Sequence, residues 1–286
     1  MRFAKKTRLF LTQLITHIFL IVFSIITIYP VLWVFKMAFS PTQNFKVSLN
    51  PIPEGISLAN FSDVIFAKNM AGQYIFFYQL FNSVAVSFIT TLLGVVLATT
   101  AAYAFSRFKF PLRRTGLMAF LVTQMFPGTM MMIPLYIIMD KLGLLNQLMG
   151  LALVYSTTSI PFCVWTLKGY FDTIPKELEE SAIIDGASRL KIFVSIILPL
   201  ARPAIAVTAL FSFMTAWNEF ILAATFMNKE ISYTLPVMLQ HFVGAHNTEW
   251  GHFAAGAIIV ALPVVILFYF LQKNLISGLT AGSVKG

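Results

Sequence analysis

The sequence predicts an all-α integral membrane protein with six transmembrane helices, and three observations carry the prediction. Of the 286 residues, 58% are hydrophobic and only 11% charged, and the mean hydropathy is +0.81. No ordinary soluble domain has that composition. Apolar runs long enough for a bilayer of about 30 Å recur at about residues 9–35, 80–106, 115–139, 142–167, 203–228 and 250–272. The segments between them alternate in basic charge, with 15 Lys and Arg on one side and 5 on the other. By the positive-inside rule that asymmetry places both termini in the cytoplasm, and an even number of spans agrees in putting them on the same side.

The first run follows Arg2, Lys5, Lys6 and Arg8. A basic start and an apolar core also describe a secretory signal, with Ala38-Phe39-Ser40 offering small residues for cleavage. The run exceeds the roughly 7–15 apolar residues of a signal, so it reads as an uncleaved span. Residues 40–79 form an external loop with short helical pieces. The second run ends at Arg107, Lys109, Arg113 and Arg114. The third contains Pro127, Gly128 and Pro134 and so should bend where neighbours or water satisfy freed carbonyls. Met125 and Met130 to Met132 suit core packing better than a soft lining. Asp140 and Lys141 mark a turn before the fourth run, which carries Pro161. The chain reads as one domain over 1–286, with no repeat and no low-complexity tract.

Several function classes are disfavoured. The net charge of +9 is scattered between apolar runs, so no nucleic-acid patch forms. The single Cys163 excludes an intramolecular disulfide and suits a packed or lipid-facing thiol. There is no P-loop, and no cluster has metal-ligand spacing; His241 and His246 read as surface residues. No Ser/His/Asp arrangement emerges, so an enzyme is not the expectation.

Two places carry unusual polarity. Glu219 is the one acidic residue inside an apolar run, where a charge must face a cavity or find a partner. It suits either a translocation path or a structural hydrogen bond between helices. Its neighbours Trp217 and Asn218 offer a stacking face and an amide to a sugar, or else interfacial packing. The second place is 174–199, the most charged stretch of the chain. Pro175 suits a helix start, and Glu177, Glu179 and Glu180 favour its N-terminus. At helical spacing Ile174, Leu178, Ala182 and Asp185 share one face, and Glu177, Glu180 and Ser181 another. Gly186 allows a left-handed stop, and a second helix should run from about Ser188 to Pro199. Composition alone fits an interfacial amphipathic helix.

The spacing says more. Glu180-Ser181-Ala182, Asp185-Gly186 and Ile196-Ile197-Leu198-Pro199 resemble the EAA motif of ABC-importer permeases, with Ser181 in place of the first alanine. Further stretches are similar to the MalG-type subunit of carbohydrate importers. These are Asn82-Ser83, Tyr103-Ala104-Phe105-Ser106-Arg107 and Trp217-Asn218-Glu219-Phe220. Tyr233-Thr234-Leu235-Pro236-Val237, Trp250-Gly251-His252-Phe253-Ala254-Ala255 and the ending 278–286 resemble the maltose and maltodextrin branch, with His252 where Asp is common.

The resemblance implies a type I importer permease (MetI-like) fold in a bacterial plasma membrane. It implies a homologous second permease (MalF-type), an ATPase dimer (MalK-type), an extracytoplasmic sugar-binding protein and an oligosaccharide substrate. Glu180, Ser181, Ala182, Asp185 and Gly186 would form the cytoplasmic coupling helix. The 228–250 loop would face the binding protein, and the Val284-Lys285-Gly286 tail would reach the ATPases. ATP and Mg²⁺ would sit on those ATPases, with no cofactor and no metal on this chain. Maltodextrin is the expected substrate, and galacto-oligosaccharides or another oligosaccharide the alternative. A secondary transporter or channel subunit, or a membrane-embedded enzyme, remain the competing classes.

Overall fold

The computed structural model describes residues 2–43, 50–244 and 248–283, with side chains from 10 to 272. Lys46, His246 and the 284–286 tail lie outside the described residues, as do the side chains of Arg2, Lys5, Lys6 and Arg8. The chain runs α1 (Arg2–Phe39), α2 (Ala59–Ile65), α3 (Ile75–Arg107), α4 (Arg113–Met125), α5 (Gly128–Lys141) and α6 (Leu148–Thr173). There follow α7 (Glu177–Ile184), α8 (Arg189–Ile192), a π-helical turn (Phe193–Ile197), α9 (Leu198–Leu200) and α10 (Arg202–Trp217). The last elements are α11 (Ile221–Phe226), a 3₁₀ turn (Glu230–Ser232), α12 (Leu235–His241) and α13 (Trp250–Ser283). Among the described residues β-structure is limited to two isolated bridges, Lys68 with Tyr74 and Val243 with Thr248.

Among the described residues four helices are each long and apolar enough to cross a membrane: α1 over Phe10–Phe39, α3, α6, and α13 over Trp250–Gln272. Two bent pairs, α4 with α5 (101°) and the Arg189–Leu200 stretch with α10 (79°), bring the number to six if each is one span. The helices pack as two compact units, Met1–Ala67 with Leu239–Val260, and Lys68–Met238 with Ala261–Gly286.

The first unit is knotted by Asn60, which is 2% exposed. Its Nδ2 donates to the carbonyls of Ala38 (3.0 Å) and Ser40 (2.8 Å), near the end of α1, where the last turn leaves acceptors without helical partners. Its Oδ1 accepts from Gln43, whose own Oε1 receives the His252 N–H at the start of α13. The His252 ring then lies between Glu249 (2.7 Å) and Asp63 of α2 (3.2 Å).

The second unit is built on α3, α6 and α10. Thr90 Oγ1 meets the Ala152 carbonyl and Ser106 meets Asp172, a nearly constant sequence offset of 62 and 66, so α3 and α6 run in the same direction. Lipid tails are as apolar as leucine, so close approach and buried hydroxyls bring such helices together. Ser87, Thr90, Ser159, Thr208 and Ser212 are all fully buried here. Gly94 makes the approach possible, because a Cβ there would lie 2.7 Å from Ser212 Oγ and 3.5 Å from Ser159 Oγ. Gly94→Leu should therefore destabilise the unit by about 1–3 kcal/mol through overpacking. A thermal unfolding midpoint in detergent equal to wild type would count against this packing account. Cys163 is a packed thiol, fully buried with its Sγ 3.2 Å from Ser212 Oγ.

Three expectations change. The third span does bend, but at Phe126–Pro127, while Pro134 stays inside α5. The break leaves Met125, Met130 and Met131 at 80, 70 and 42% exposure instead of packed, while Met132 and Met139 of the same run join the core. The fourth helix covers Leu148–Thr173, about six residues later than the 142–167 run, because residues up to Gln147 turn with Asn146 at φ 59°. The fifth span, expected over 203–228, is not one helix: α10 ends at Trp217, and a break at Asn218–Phe220 precedes α11. Pro161 sits within α6, and Gln124 of α4 donates to the nearby Thr158 carbonyl at 3.1 Å.

Candidate functional site

The charged stretch folds as a helix, a left-handed stop and a second helix. α7 begins after Pro175, with Lys176 as its cap and three glutamates in its first turn facing the positive end of the helix dipole. It ends in a Schellman motif: Gly186 N–H donates to the Ile183 carbonyl (3.0 Å) and Ala187 N–H to the Ala182 carbonyl (2.9 Å). Gly186 has φ +80°, a conformation that side chains rarely adopt. Ser188 then caps α8 by accepting from the Lys191 N–H (3.3 Å). Pro199 has no N–H and its ring crowds the preceding turn, which accounts for the π-helical turn before it, where Leu198 N–H reaches the Phe193 carbonyl. Ile192 and Ile197 anchor this second arm in the core.

The faces of α7 divide sharply. Glu180, Ser181 and Asp185 are exposed, beside Ile183, Ile184 and Leu190 at 54, 85 and 72% exposure. Ala182 turns inward against the core, as does Ala187. Leu178, which shares a face with Ile174 and Ala182 at helical spacing, is 44% exposed, and Glu179 is the side chain that turns inward. Glu179 pairs with Arg107, the last residue of α3, with side chains only 12% and 7% exposed. Its other oxygen accepts from Tyr103 Oη at 2.9 Å. Arg107 Nη2 also donates to the Ile174 carbonyl (2.9 Å), and Ser106 Oγ to Asp172 (2.6 Å). The sequence held a signal for this joint, since 103–107 was one of the family-like stretches, but nothing said what it touches.

The second candidate lies in the break after α10. Glu219 accepts from Tyr155 Oη of α6 (2.7 Å) and from the Leu222 and Ala223 N–H groups of α11 (2.9 and 3.1 Å). The carboxylate thus satisfies donors that open α11 and ties that helix to α6. Trp217 is 1% exposed with its ring stacked on Phe213 at 5.4 Å, whereas Asn218 is exposed.

A third polar group, at the other end of α3, joins two more of the family-like stretches. Gln79 Nε2 donates to the Glu230 carbonyl (3.0 Å), and Asn82 Nδ2 to the carbonyls of Ile231 (2.8 Å) and Tyr233 (3.0 Å). Ser83 Oγ accepts the Leu235 N–H at 2.7 Å. Asn82→Ala removes the partner of two carbonyls in a segment that follows Lys229. Trypsin should cut at Lys229 about tenfold faster, matching local opening made easier by roughly 1.4 kcal/mol. An unchanged cleavage rate would mean that the clamp does not hold the segment.

Residues 91–280 match the family model described as "Binding-protein-dependent transport system inner membrane component". The chain belongs to this family. It is a multi-pass membrane transport subunit and not an enzyme. Among relatives of this transport family, the galactooligosaccharides transport system permease protein GanQ of Bacillus subtilis (strain 168) is 38% identical over 282 residues, 98% of each chain. The maltodextrin transport system permease protein MdxG of the same organism is 36% identical over 282 residues, 98% of this chain and 99% of its own. A crystal structure of a bacterial ABC transporter that imports the polysaccharide alginate contains a chain of the same fold. The TM-score is 0.76 at 22% identity, over 93% of this chain and 96% of that one. The MetI-like permease fold expected of the transport family is therefore the fold of this chain.

Proposed function

We propose that this chain is the transmembrane permease subunit of an ATP-driven sugar importer, with α7 as its coupling helix. The observation that carries the proposal is the geometry at 180–186: Glu180, Ser181 and Asp185 lie exposed beside bare apolar side chains, and Gly186 at φ +80° makes the turn. A short helix presenting both charge and unpartnered apolar surface is built to enter a groove on another protein. In this reading Glu180 meets a basic residue of an ATPase, Ser181 and Asp185 line the same contact, and Ala182 holds the helix to the core. The 15 to 5 asymmetry of Lys and Arg puts α7 and both termini in the cytoplasm.

The rest of the assembly follows from the same reading. A homologous second permease completes the pathway, two ATPases hold ATP and Mg²⁺, and an extracytoplasmic binding protein delivers the sugar. Closure of the ATPase dimer moves the coupling helices and switches the spans between inward- and outward-facing arrangements. The whole of 1–286 acts as one transport domain. Glu219 and Asn218 at the break after α10 line the path, and Trp217 packs behind them. Maltodextrin is the first substrate to test, supported by the stretches at 233–237 and 250–255. The GanQ likeness makes a galacto-oligosaccharide the second.

The test is co-expression with the genomic neighbours, purification through a tag on this chain, and ATPase assays in liposomes with the binding protein and either maltotriose or a β-galacto-oligosaccharide. A second permease and two ATPases should co-purify, and maltotriose should stimulate hydrolysis. Response to the galacto-oligosaccharide alone would replace the substrate and keep the mechanism. A chain that purifies alone and moves solute without an ATPase would overturn the proposal.

A further inference from the structure

The coupling segment carries three glutamates in one turn, and they are not equivalent. Glu177 and Glu180 stand in solvent, while Glu179 is turned inward and nearly buried. Both of its carboxylate oxygens are engaged by the same helix: Arg107 holds one and Tyr103, one turn earlier on α3, holds the other. The Arg107 guanidinium is itself used three ways, on Glu179, on Ser106 Oγ (3.2 Å) and on the Ile174 carbonyl that closes α6. Ser106 continues to Asp172, which Lys168 also holds. The Tyr103 ring is wedged between Phe171 of α6 and Phe193 of the second arm, at 6.3 and 4.7 Å between centroids.

A buried ion pair adds little net stability over apolar residues of the same shape, because desolvation offsets attraction. What it adds here is geometry. Apolar contacts tolerate sliding, whereas a carboxylate held at both oxygens by donors one helical turn apart fixes where α7 sits along α3 and how it is rotated. The neighbouring Ala182 contact could seat α7 but could not fix its angle.

We propose that Glu179 and Arg107 form the rigid link between α7 and α3, so that displacement received at the exposed face of α7 moves α3 instead of bending the joint. Adjacent carboxylates then divide the work: Glu180 faces the partner, and Glu179 faces the chain's own core. The proposal rests on α7 being the docking helix. Its consequence is specific: loss of the link uncouples transport from hydrolysis without preventing assembly. Glu179 and Arg107 are positioning residues, and neither needs to touch nucleotide or sugar.

Two measurements test it. The first uses the assembled complex with this chain as wild type, Glu179→Ala, Glu179→Gln, or the exchanged pair Arg107→Glu with Glu179→Arg. Assays use maltotriose or the β-galacto-oligosaccharide, whichever stimulates the wild type. Glu179→Ala should bring down the ATPases as wild type does and keep hydrolysis within about twofold, yet lower sugar moved per ATP by about tenfold. Glu179→Gln should fall between, and the exchanged pair should recover much of the ratio. A merely structural role would lower assembly, hydrolysis and uptake together, and that result would overturn the proposal.

The second measurement needs no sugar. Spin labels at Glu177→Cys on α7 and Val96→Cys on α3 report the distance between the two helices, since the one native cysteine, Cys163, is fully buried. In the assembled complex with the wild-type chain the distribution should be narrow and the same with and without ATP and vanadate. In Glu179→Ala it should broaden and shift with nucleotide. An equally narrow, unmoved distribution in the variant would overturn the rigid link, whatever the sugar. If instead Glu180→Lys left assembly and hydrolysis intact, the docking reading itself would fail while the distance result still judged the link.

Discussion

Glu180→Lys should abolish sugar-stimulated ATP hydrolysis and uptake while the chain still inserts and folds. The side chain is exposed on α7 and makes no ion pair among the described residues, so the change should cost the chain no more than about 0.5 kcal/mol. In a closed interface it places a cation where an anion was matched. Leaving a charged group unpaired in such a contact costs about 2–5 kcal/mol, and the lower figure already weakens docking about 30-fold. Membrane level by immunoblot, ATPase recovery on a tagged chain, and uptake separate the three quantities. Normal membrane level with lost recovery and uptake is the expected pattern, and normal uptake would remove Glu180 from the interface.

That expectation was legible in the sequence because acid, small residue, Asp-Gly and Leu-Pro fall at fixed offsets. The six apolar runs were legible for a related reason: a bilayer demands length and apolarity of every span, whatever the packing. The bend of the third span could be read from Pro127 and Gly128, although not that Pro134 would be absorbed inside α5. The break in the fifth was not readable. No Pro or Gly lies near 218–220, and the only signal was Glu219, whose polar group serves the N–H groups of a new helix instead of interrupting an old one.

Which glutamate turns inward also escaped the pattern. Positions 177, 179 and 180 are chemically alike, and the choice is made by Arg107 and Tyr103, more than 70 residues away in sequence. Similarly, Asn82 and Ser83 stood out as a familiar pair, but their role in gripping 231–235 depends on a partner about 150 residues on. Long-range polar contacts leave a residue type behind in the sequence and no address.

Gly186→Val should have the second large effect, through the backbone alone. No atom lies within 4 Å of where a Cβ would sit, so crowding is not the obstacle. The φ of +80° is. A left-handed residue with a Cβ costs about 1–2 kcal/mol, and a β-branched one more. The chain would relieve this by unwinding the Schellman turn, which releases the hydrogen bonds of Gly186 and Ala187 and frees the C-terminal end of α7. Assembly with the ATPase should fall about tenfold or more for Gly186→Val, while Gly186→Asn, which tolerates positive φ, should retain most of it. Equal assembly of the Val and Asn variants in a tag pull-down would show that the turn's conformation does not matter.

The central claim is that the exposed face of α7 seats on an ATPase subunit, and proximity tests it most directly. Ser181→Cys labelled with a maleimide–benzophenone, with the native Cys163 buried, should on illumination form an adduct with the co-purifying ATPase in membranes, and the same label at Leu92→Cys on the exposed surface of α3 should form none. An adduct from residue 92 and none from residue 181 would contradict the account.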